Sequence, residues 1–439
     1  MRSRLTVTLG HAARLAARLR GGGSGGTAFP GLVMERTDPG FLARTLNRLP
    51  RGVIVVSGTN GKTTTTKMVV QLLREQGLKV FTNRTGSNFV RGVLASLLTE
   101  VDAAGRLDAD IAVLELDEAH AVHFVARVRP RACLLLNVMR DQLDRFGEID
   151  YTASLLHSIA KATSDVVVLN GDDPRLAAPA FLEGVSARVV SFGTGEDLRS
   201  LFLSDDDLRT GQTGPRAHQD ESQIPGPRVT LEAIDGQRAT VRVDGASHEV
   251  DFAIPGVHNL LNACAALGVV LEVLGEDADL PGLLTTLGTV QAAFGRGEVL
   301  TLDGRPVQLS LVKNPAGFRM GLLSAAAQAQ SGEVVVVAIN DEYADGRDMS
   351  WLWDVDFAAL RPGGVAVVTG VRAWDMALRL RYDDVEVTDV EPDLRKAVAL
   401  MRRVAADTDR PMRIFTTYTA MLALRSILGE MTDVEEVMS

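Results

Sequence analysis

Cysteine is almost missing from this 439-residue chain: Cys133 and Cys264 are the only two. Both lie in apolar stretches and read as buried thiols, which excludes a disulfide framework and a cysteine-rich zinc site. No apolar run reaches the roughly 18 residues that a transmembrane helix needs. A basic excess is also missing. The net charge is −10, which argues against wholesale nucleic-acid binding. What remains, 46% hydrophobic and 23% charged residues, is the composition of a soluble globular protein. The length predicts two or three domains, each with its own core.

Lysine is scarce as well. Of 46 Lys plus Arg residues, the lysines are Lys62, Lys67, Lys79, Lys161, Lys313 and Lys396. A chain that otherwise uses arginine keeps lysine in one telling stretch, Gly58-Thr59-Asn60-Gly61-Lys62-Thr63-Thr64. Before it runs Gly52–Val56, a β-branched apolar segment that predicts a buried strand. After it, Met68, Val69, Leu72 and Leu73 recur at helical spacing. Strand, glycine loop and helix together aim backbone N–H groups and a helix N-terminus at one point, a site for phosphate. Lys62 adds a compact cation for the outer phosphates and Thr63 a hydroxyl suited to Mg²⁺. The strict phosphate-loop pattern wants glycine at position 56, where this chain has Val56. The bland alternative is an ordinary glycine turn.

The first 20 residues carry Arg2, Arg4, Arg14, Arg18 and Arg20 among Leu, Val and Ala. Their pattern favours a structured amphipathic helix of a cytoplasmic protein over a transit peptide or a membrane-surface helix. Gly21–Gly26 is a turn or linker, and Pro30–Leu49 a helical lead-in. Strands are predicted at Lys79–Thr82, Ile111–Leu116, Arg131–Val138 and Asp165–Leu169. Polar groups fall at their ends: Asn83–Asn88, then Glu115-Leu116-Asp117-Glu118, then Asn137 with the charge-dense Arg140–Glu148. Glu115 is placed to hold Mg²⁺ directly or through water; Asp117 and Glu118 are either supporting residues or merely solvated. Repeated strand–helix units imply a mostly parallel sheet covered by helices. Residues 198–228 read as a polar insertion, and Val229–Phe252 as short antiparallel strands. Phe294–Glu298 reads as a tight basic turn at a domain boundary. Beyond it, strands are expected at Val307–Val312, Glu333–Ile339, Val365–Thr369, Val385–Val387 and Met412–Thr416. Asp345, Asp348 and Asp354, near Trp351 and Trp353, form either a capped helix start or an acid cluster. The expected layout is a helical lead-in at 1–48, a central ATP-binding α/β domain at 49–296 and a C-terminal Rossmann-like α/β domain at 297–439.

Gly58–Thr64, Asn170-Gly-Asp-Asp-Pro174, and Gly256-Val-His-Asn259 with Asn262 resemble the Mur ligases. Asn137–Glu148, Phe294–Glu298, Lys313–Phe318, Asp345–Asp354 and Thr417–Met421 resemble one branch, the MurT-type subunit of lipid II isoglutaminyl synthase. The resemblance spans about residues 25–425. It implies an ATP- and Mg²⁺-dependent synthetase that activates the D-glutamate α-carboxylate of lipid II as an acyl phosphate. The nucleophile would be ammonia from a partner, a GatD-type glutaminase. Peripheral membrane contact would come through the substrate, at the inner face of the membrane.

Carried onto this chain, the resemblance gives Lys62 the β/γ-phosphates and Thr63 with Glu115 the Mg²⁺. Gly58, Thr59, Asn60, Gly61, Thr64, Asn137 and Asn259 line the nucleotide site, with Arg296 approaching it. Asp348, in preference to Asp354, completes the glutaminase's Cys–His pair. Two departures stand out. Cys133 and Cys264 lack the spacing of the four-cysteine ribbon common in the family, so no zinc is expected. Gln142 stands where ordinary Mur ligases carry His. A free-standing Mur-type amino-acid ligase is the rival enzyme; a nucleotide-dependent scaffold that lost its chemistry is the rival of another class.

Overall fold

The structure, a computed structural model, describes residues 2–20, 28–83, 87–140, 149–202, 204, 224, 226–291, 296–328, 332–408 and 410–430. The chain divides into two units. One comprises Met1–Val138, Asp150–Ala253 and Asn259–Val290; the other Met139–Ile149, Ile254–His258 and Gln291–Ser439. The Gly21–Gly26 linker, Asp141–Glu148 with Gln142, and most of the 198–228 insertion lie outside the described residues.

The first unit opens with three helices, α1 (Arg2–Arg20), α2 (Ala28–Thr37) and α3 (Phe41–Leu46). In α1, Thr6, Val7, Gly10 and Ala13 recur every three or four residues and are buried. Gly10 lets the helix sit close: a Cβ there would meet Leu98 at 2.8 Å and Met34 at 3.1 Å. Next come β1 (Val53–Ser57), α4 (Lys62–Glu75), β2 (Val80–Thr82), α5 (Val90–Glu100), β3 (Ile111–Glu115), α6 (Glu118–Val125) and β4 (Ala132–Leu135). These are followed by α7 (Ile149–Ala162), β5 (Val166–Asn170), α8 (Pro179–Leu182), β6 (Arg188–Thr194), β7 (Val229–Asp235), β8 (Arg238–Val243) and β9 (Ala246–Asp251). Helices α9 (Val257–Leu274) and α10 (Leu280–Thr289) close the unit.

Its nine strands run in the order β2-β3-β1-β4-β5-β6-β7-β8-β9. Pairing is parallel from β2 through β7 and antiparallel from β7 to β9. Every residue of β1, β3, β4 and β5 is buried. That is why these strands read as continuous apolar runs: helices cover both faces. Helix α9 is long and apolar enough to cross a membrane, yet it is mostly packed inside the unit. Its apolarity is that of a core helix.

The second unit contains β10 (Arg296–Leu302), β11 (Arg305–Leu311), α11 (Pro315–Gln328), β12 (Val334–Ala338), β13 (Val365–Thr369), α12 (Ala373–Tyr382), β14 (Val387–Glu391), α13 (Leu394–Thr408), β15 (Met412–Thr416) and α14 (Tyr418–Gly429). The order is β10-β11-β15-β12-β13-β14, with only the β10–β11 pair antiparallel.

Three expectations need correction. The basic turn expected through Glu298 is already strand from Arg296 onward, with the register shifting between Arg296 and Glu298. Residues 292–295 of the same motif lie outside the described residues. The strand expected at Val385 begins at Val387. Asp384 takes φ 55° and the Val385 N–H donates to Leu380, so Val385 still belongs to the turn closing α12. Strand β6 was not anticipated at all; the polar residues Arg188 and Ser191 break its apolar run.

Candidate nucleotide site and carboxylate loop

Strand β1 ends between two neighbours. Val56 lies opposite Glu115 of β3, and Ser57 opposite Leu135 of β4. The chain visits β2 and β3 on one side of β1 before crossing to β4 on the other. The end of β1 is therefore the switch point at which open parallel sheets receive ligands. The loop leaves β1 at Gly58 (φ 131°) and enters α4 at Gly61 (φ 88°). A Cβ at Gly58 would meet the Asn137 backbone at 3.0 Å, and one at Gly61 would meet Asn262 Oδ1 at 2.6 Å. Only glycine fits either place.

Asn137 fastens the loop. Its Oδ1 accepts the Asn60 N–H at 2.9 Å, its Nδ2 donates to the Asn60 carbonyl at 3.2 Å, and its own carbonyl accepts the Thr59 N–H at 3.1 Å. Asn262, on α9, walls the other side and donates to Asn259 Oδ1 at 3.3 Å. No side chain caps the start of α4, so that helix end keeps its positive field for an anion. Thr59 and Thr64 are buried within the loop.

Lys62 opens α4 and is buried. Its Nζ donates to the Gly58 carbonyl at 2.5 Å and the Thr59 carbonyl at 3.3 Å, and pairs with Glu118 Oε2 at 3.1 Å. The solvated alternative for Glu118 fails: the residue is 2% exposed. Thr63 Oγ1 donates to Glu115 Oε1 at 2.8 Å. Asn83 sets that carboxylate in place by accepting the Glu115 N–H at 2.9 Å and donating to its carbonyl at 2.8 Å. Hydroxyl and carboxylate side by side are hard oxygen donors of the kind Mg²⁺ takes. Among the described residues, no group of three or more His, Cys, Asp or Glu could hold a metal.

The motif Asn170–Pro174 braces the strand ends. The Asp173 carboxylate accepts the Val138 N–H at 2.6 Å, and Asp172 accepts the Thr194 N–H at 2.6 Å and its hydroxyl at 2.8 Å. Burial pushes both free thiols, Cys133 and Cys264, up to about 12, so neither is a nucleophile or a ligand at neutral pH.

In the second unit, the segment 340–354 leaves β12. The Asn340 N–H donates to Thr417 Oγ1 at 2.9 Å, its Nδ2 donates to Thr419 Oγ1 at 3.1 Å, and its Oδ1 accepts the Val371 N–H at 3.0 Å, so one side chain joins three strand ends. The three acids take different roles. Asp345 is buried and accepts from the Thr419 N–H at 2.8 Å and from the Thr419 hydroxyl; burial raises its pKa above the usual value. Asp354 pairs with Arg140 at 2.7 Å. Asp348 is half-buried, and hydrogen bonds from the Ser350 hydroxyl and N–H hold its carboxyl below the usual range. They do not form one cluster. Sequence reasoning missed what shapes this segment, the buried Arg379. It donates to the Leu352 carbonyl at 3.1 Å and the Val355 carbonyl at 2.5 Å, and pairs with Asp383 at 2.7 Å. Arg296 begins β10, but its side chain lies outside the described residues.

Comparison with known proteins agrees with this division. Residues 56–270 match the Mur ligase middle domain, and residues 311–421 match the MurT ligase C-terminal domain. The lipid II isoglutaminyl synthase subunit MurT of Staphylococcus aureus (strain COL) is 30% identical over 89% of this chain and 91% of its own length. The subunit of the same name from Streptococcus pneumoniae is 29% identical over 94% and 95%. Among solved structures, MurF from Acinetobacter baumannii superposes with TM-score 0.68 at 18% identity, covering 91% of this chain and 80% of that one. MurF from Thermotoga maritima, in complex with ADP, gives 0.65 at 18%, covering 91% and 84%. A Mur-type phosphate loop followed by a C-terminal unit found in one branch, at this identity over nearly the whole length, shows that the chain belongs to the MurT branch of the Mur ligase family.

Proposed function

We propose that this chain is the ATP-dependent synthetase subunit of a lipid II isoglutaminyl synthase. In this reading it amidates the α-carboxylate of the stem-peptide D-glutamate with ammonia from a GatD-type glutaminase. The observation that carries the reading is the loop at the end of β1, where Lys62 is held by the Gly58 carbonyl and Glu118 while the adjacent Thr63 donates to Glu115.

A carboxylate is a poor electrophile, and phosphorylation gives it a leaving group. The transfer asks chiefly for positioning and charge neutralisation. Backbone N–H groups at the start of α4 cradle the phosphates, and Lys62 turns from the loop carbonyls toward the outer phosphates. Thr63 and Glu115 would hold Mg²⁺, which when bound neutralises phosphate charge. Asn137 fastens the loop and Asn259 lines the nucleotide site beside it. Phosphate leaves when ammonia attacks the acyl carbon, and the loop's N–H groups keep their charge complementarity to it. The Asp348 carboxylate, ionised and half-buried, is the acid offered to the histidine of the partner glutaminase, which it would orient and stabilise. Asp354 is the weaker candidate because Arg140 already neutralises it. The work is cytoplasmic, at the inner face of the membrane.

The test is ADP release by the purified chain with a lipid II-type substrate and ammonium, and the mass of the product. ADP with an amidated glutamate is expected. Turnover only with an added amino acid would replace this reading with that of a free-standing ligase.

A further inference from the structure

Helix α1 has two faces. Thr6, Gly10 and Ala13 lie on the face packed into the first unit. At 100° per residue, Leu5, Leu9, Ala12, Leu15, Ala16 and Leu19 fall on the opposite side, and all six are exposed. The four leucines are 60%, 36%, 61% and 80% exposed. The four leucines share this face with Ala12, Ala16 and one exposed polar residue, Thr8, and form an apolar strip rather than the scattered apolar residues normal at a surface. The flanks are basic. The helix carries arginine at positions 2, 4, 14, 18 and 20 and no Asp or Glu, in a chain whose net charge is −10. Arg4 is exposed beside the strip. Arg2 reaches back to Asp38 at 3.5 Å with most of its side chain still in water.

We propose that this face docks on an anionic phospholipid surface, with α1 lying in the plane of the interface. An apolar strip with arginine flanks and no acid is the pattern of an in-plane helix: leucines enter the headgroup boundary while guanidinium groups meet lipid phosphates. Charge selects this occupant. A second copy of the same face would set basic residues against basic residues, and a neutral bilayer would offer no counter-charge to the exposed Arg4. The other face of α1 is held by α2 and α5, so binding needs no unfolding and presents a preformed helix. The inference does not depend on the reaction proposed above.

The experiment is co-sedimentation of the full chain with vesicles of equal parts phosphatidylglycerol and phosphatidylcholine, and with phosphatidylcholine alone, without substrate or nucleotide. The chain should pellet with the anionic vesicles only, and less so as salt rises. The exposed double substitution L15E/L19E should abolish pelleting. Arg4→Glu should weaken it by at least roughly fivefold, the usual effect of one basic residue near such a surface. Circular dichroism and the melting temperature should stay unchanged, since all three side chains face water. Absence of binding to anionic vesicles, equal binding to both vesicle types, or binding that survives L15E/L19E would each overturn the proposal. So would an L15E/L19E-sensitive self-association with no vesicle binding.

Discussion

Changing Glu118 to Gln removes the charge of the partner of Lys62 while keeping its volume. The two side chains are 3% and 8% exposed, so water screens their interaction little. Without nucleotide, the Lys62 ammonium has one carboxylate oxygen and two carbonyls around it. The amide would take away the carboxylate charge that lies 3.1 Å from the ammonium. Removing one member of a buried pair costs about 3–5 kcal/mol, and the two carbonyls favour the lower end. For a unit of this size, about 3 kcal/mol lowers the melting temperature by roughly 6–12 °C. Bound triphosphate restores the missing negative charge. ATP should therefore stabilise Glu118→Gln more than it stabilises the native chain, with nucleotide affinity higher by roughly 10–100-fold. Thermal melts with and without nucleotide, and calorimetric titration, measure both effects. Equal melting temperatures without nucleotide, or equal shifts with it, would refute Glu118 as the counter-charge.

Lys62→Ala should lower ATP turnover by on the order of 10³-fold or more while circular dichroism shows the fold retained; full turnover would sink the phosphate-loop assignment. Asp348→Asn should cut glutamine-driven amidation by the two-subunit complex by on the order of 10⁴-fold and spare the ammonium-driven reaction; survival of both removes Asp348 from the partner's triad. Because the pKa of Asp348 is held below its ordinary value of 3.8, its ionised form persists above that pH and is lost only as pH falls through the lowered value. An acid limb in the glutamine-driven rate above about pH 4 would then belong to another group. Arg379→Met strands the Leu352 and Val355 carbonyls and should destabilise the second unit by roughly 2–5 kcal/mol, read by denaturant unfolding followed through the emission of Trp353, whose ring lies 5.3 Å from the Arg379 guanidinium.

The glycine loop after β1 was legible because its determinants are contiguous: a buried strand, two glycines, a lysine and a helix within about 20 residues. Most parallel strands were legible for a related reason. A strand covered on both faces is apolar throughout, and its ends are marked by polar residues. What was hidden depends on distant pairing. Nothing near Glu118 says that it will meet Lys62, 56 residues earlier in the chain. Arg379 looks like one more basic residue of an amphipathic helix until its two carbonyl partners are seen. The order β3-β1-β4 follows from neighbours separated by tens of residues, and that order puts the glycine loop at a switch point, where open parallel sheets receive ligands.

The same topological logic operates in each unit and explains where the acids fall. Strand β12 lies between β15 and β13, as β1 lies between β3 and β4, and each is followed by the segment that carries its unit's charged groups. In the first unit, Lys62 has Glu118 and the Glu115 carboxylate has Thr63. In the second, Asp345 is spent on Thr419 and Asp354 on Arg140, while Asp348 is stabilised in its ionised form by hydrogen bonds from Ser350 alone. An ionised carboxylate without a counter-charge costs little when half in water and gains most when a cation arrives. Of the three acids, Asp348 is therefore the one whose carboxylate would gain most from a cation supplied by another molecule, as its proposed place in the partner's triad requires.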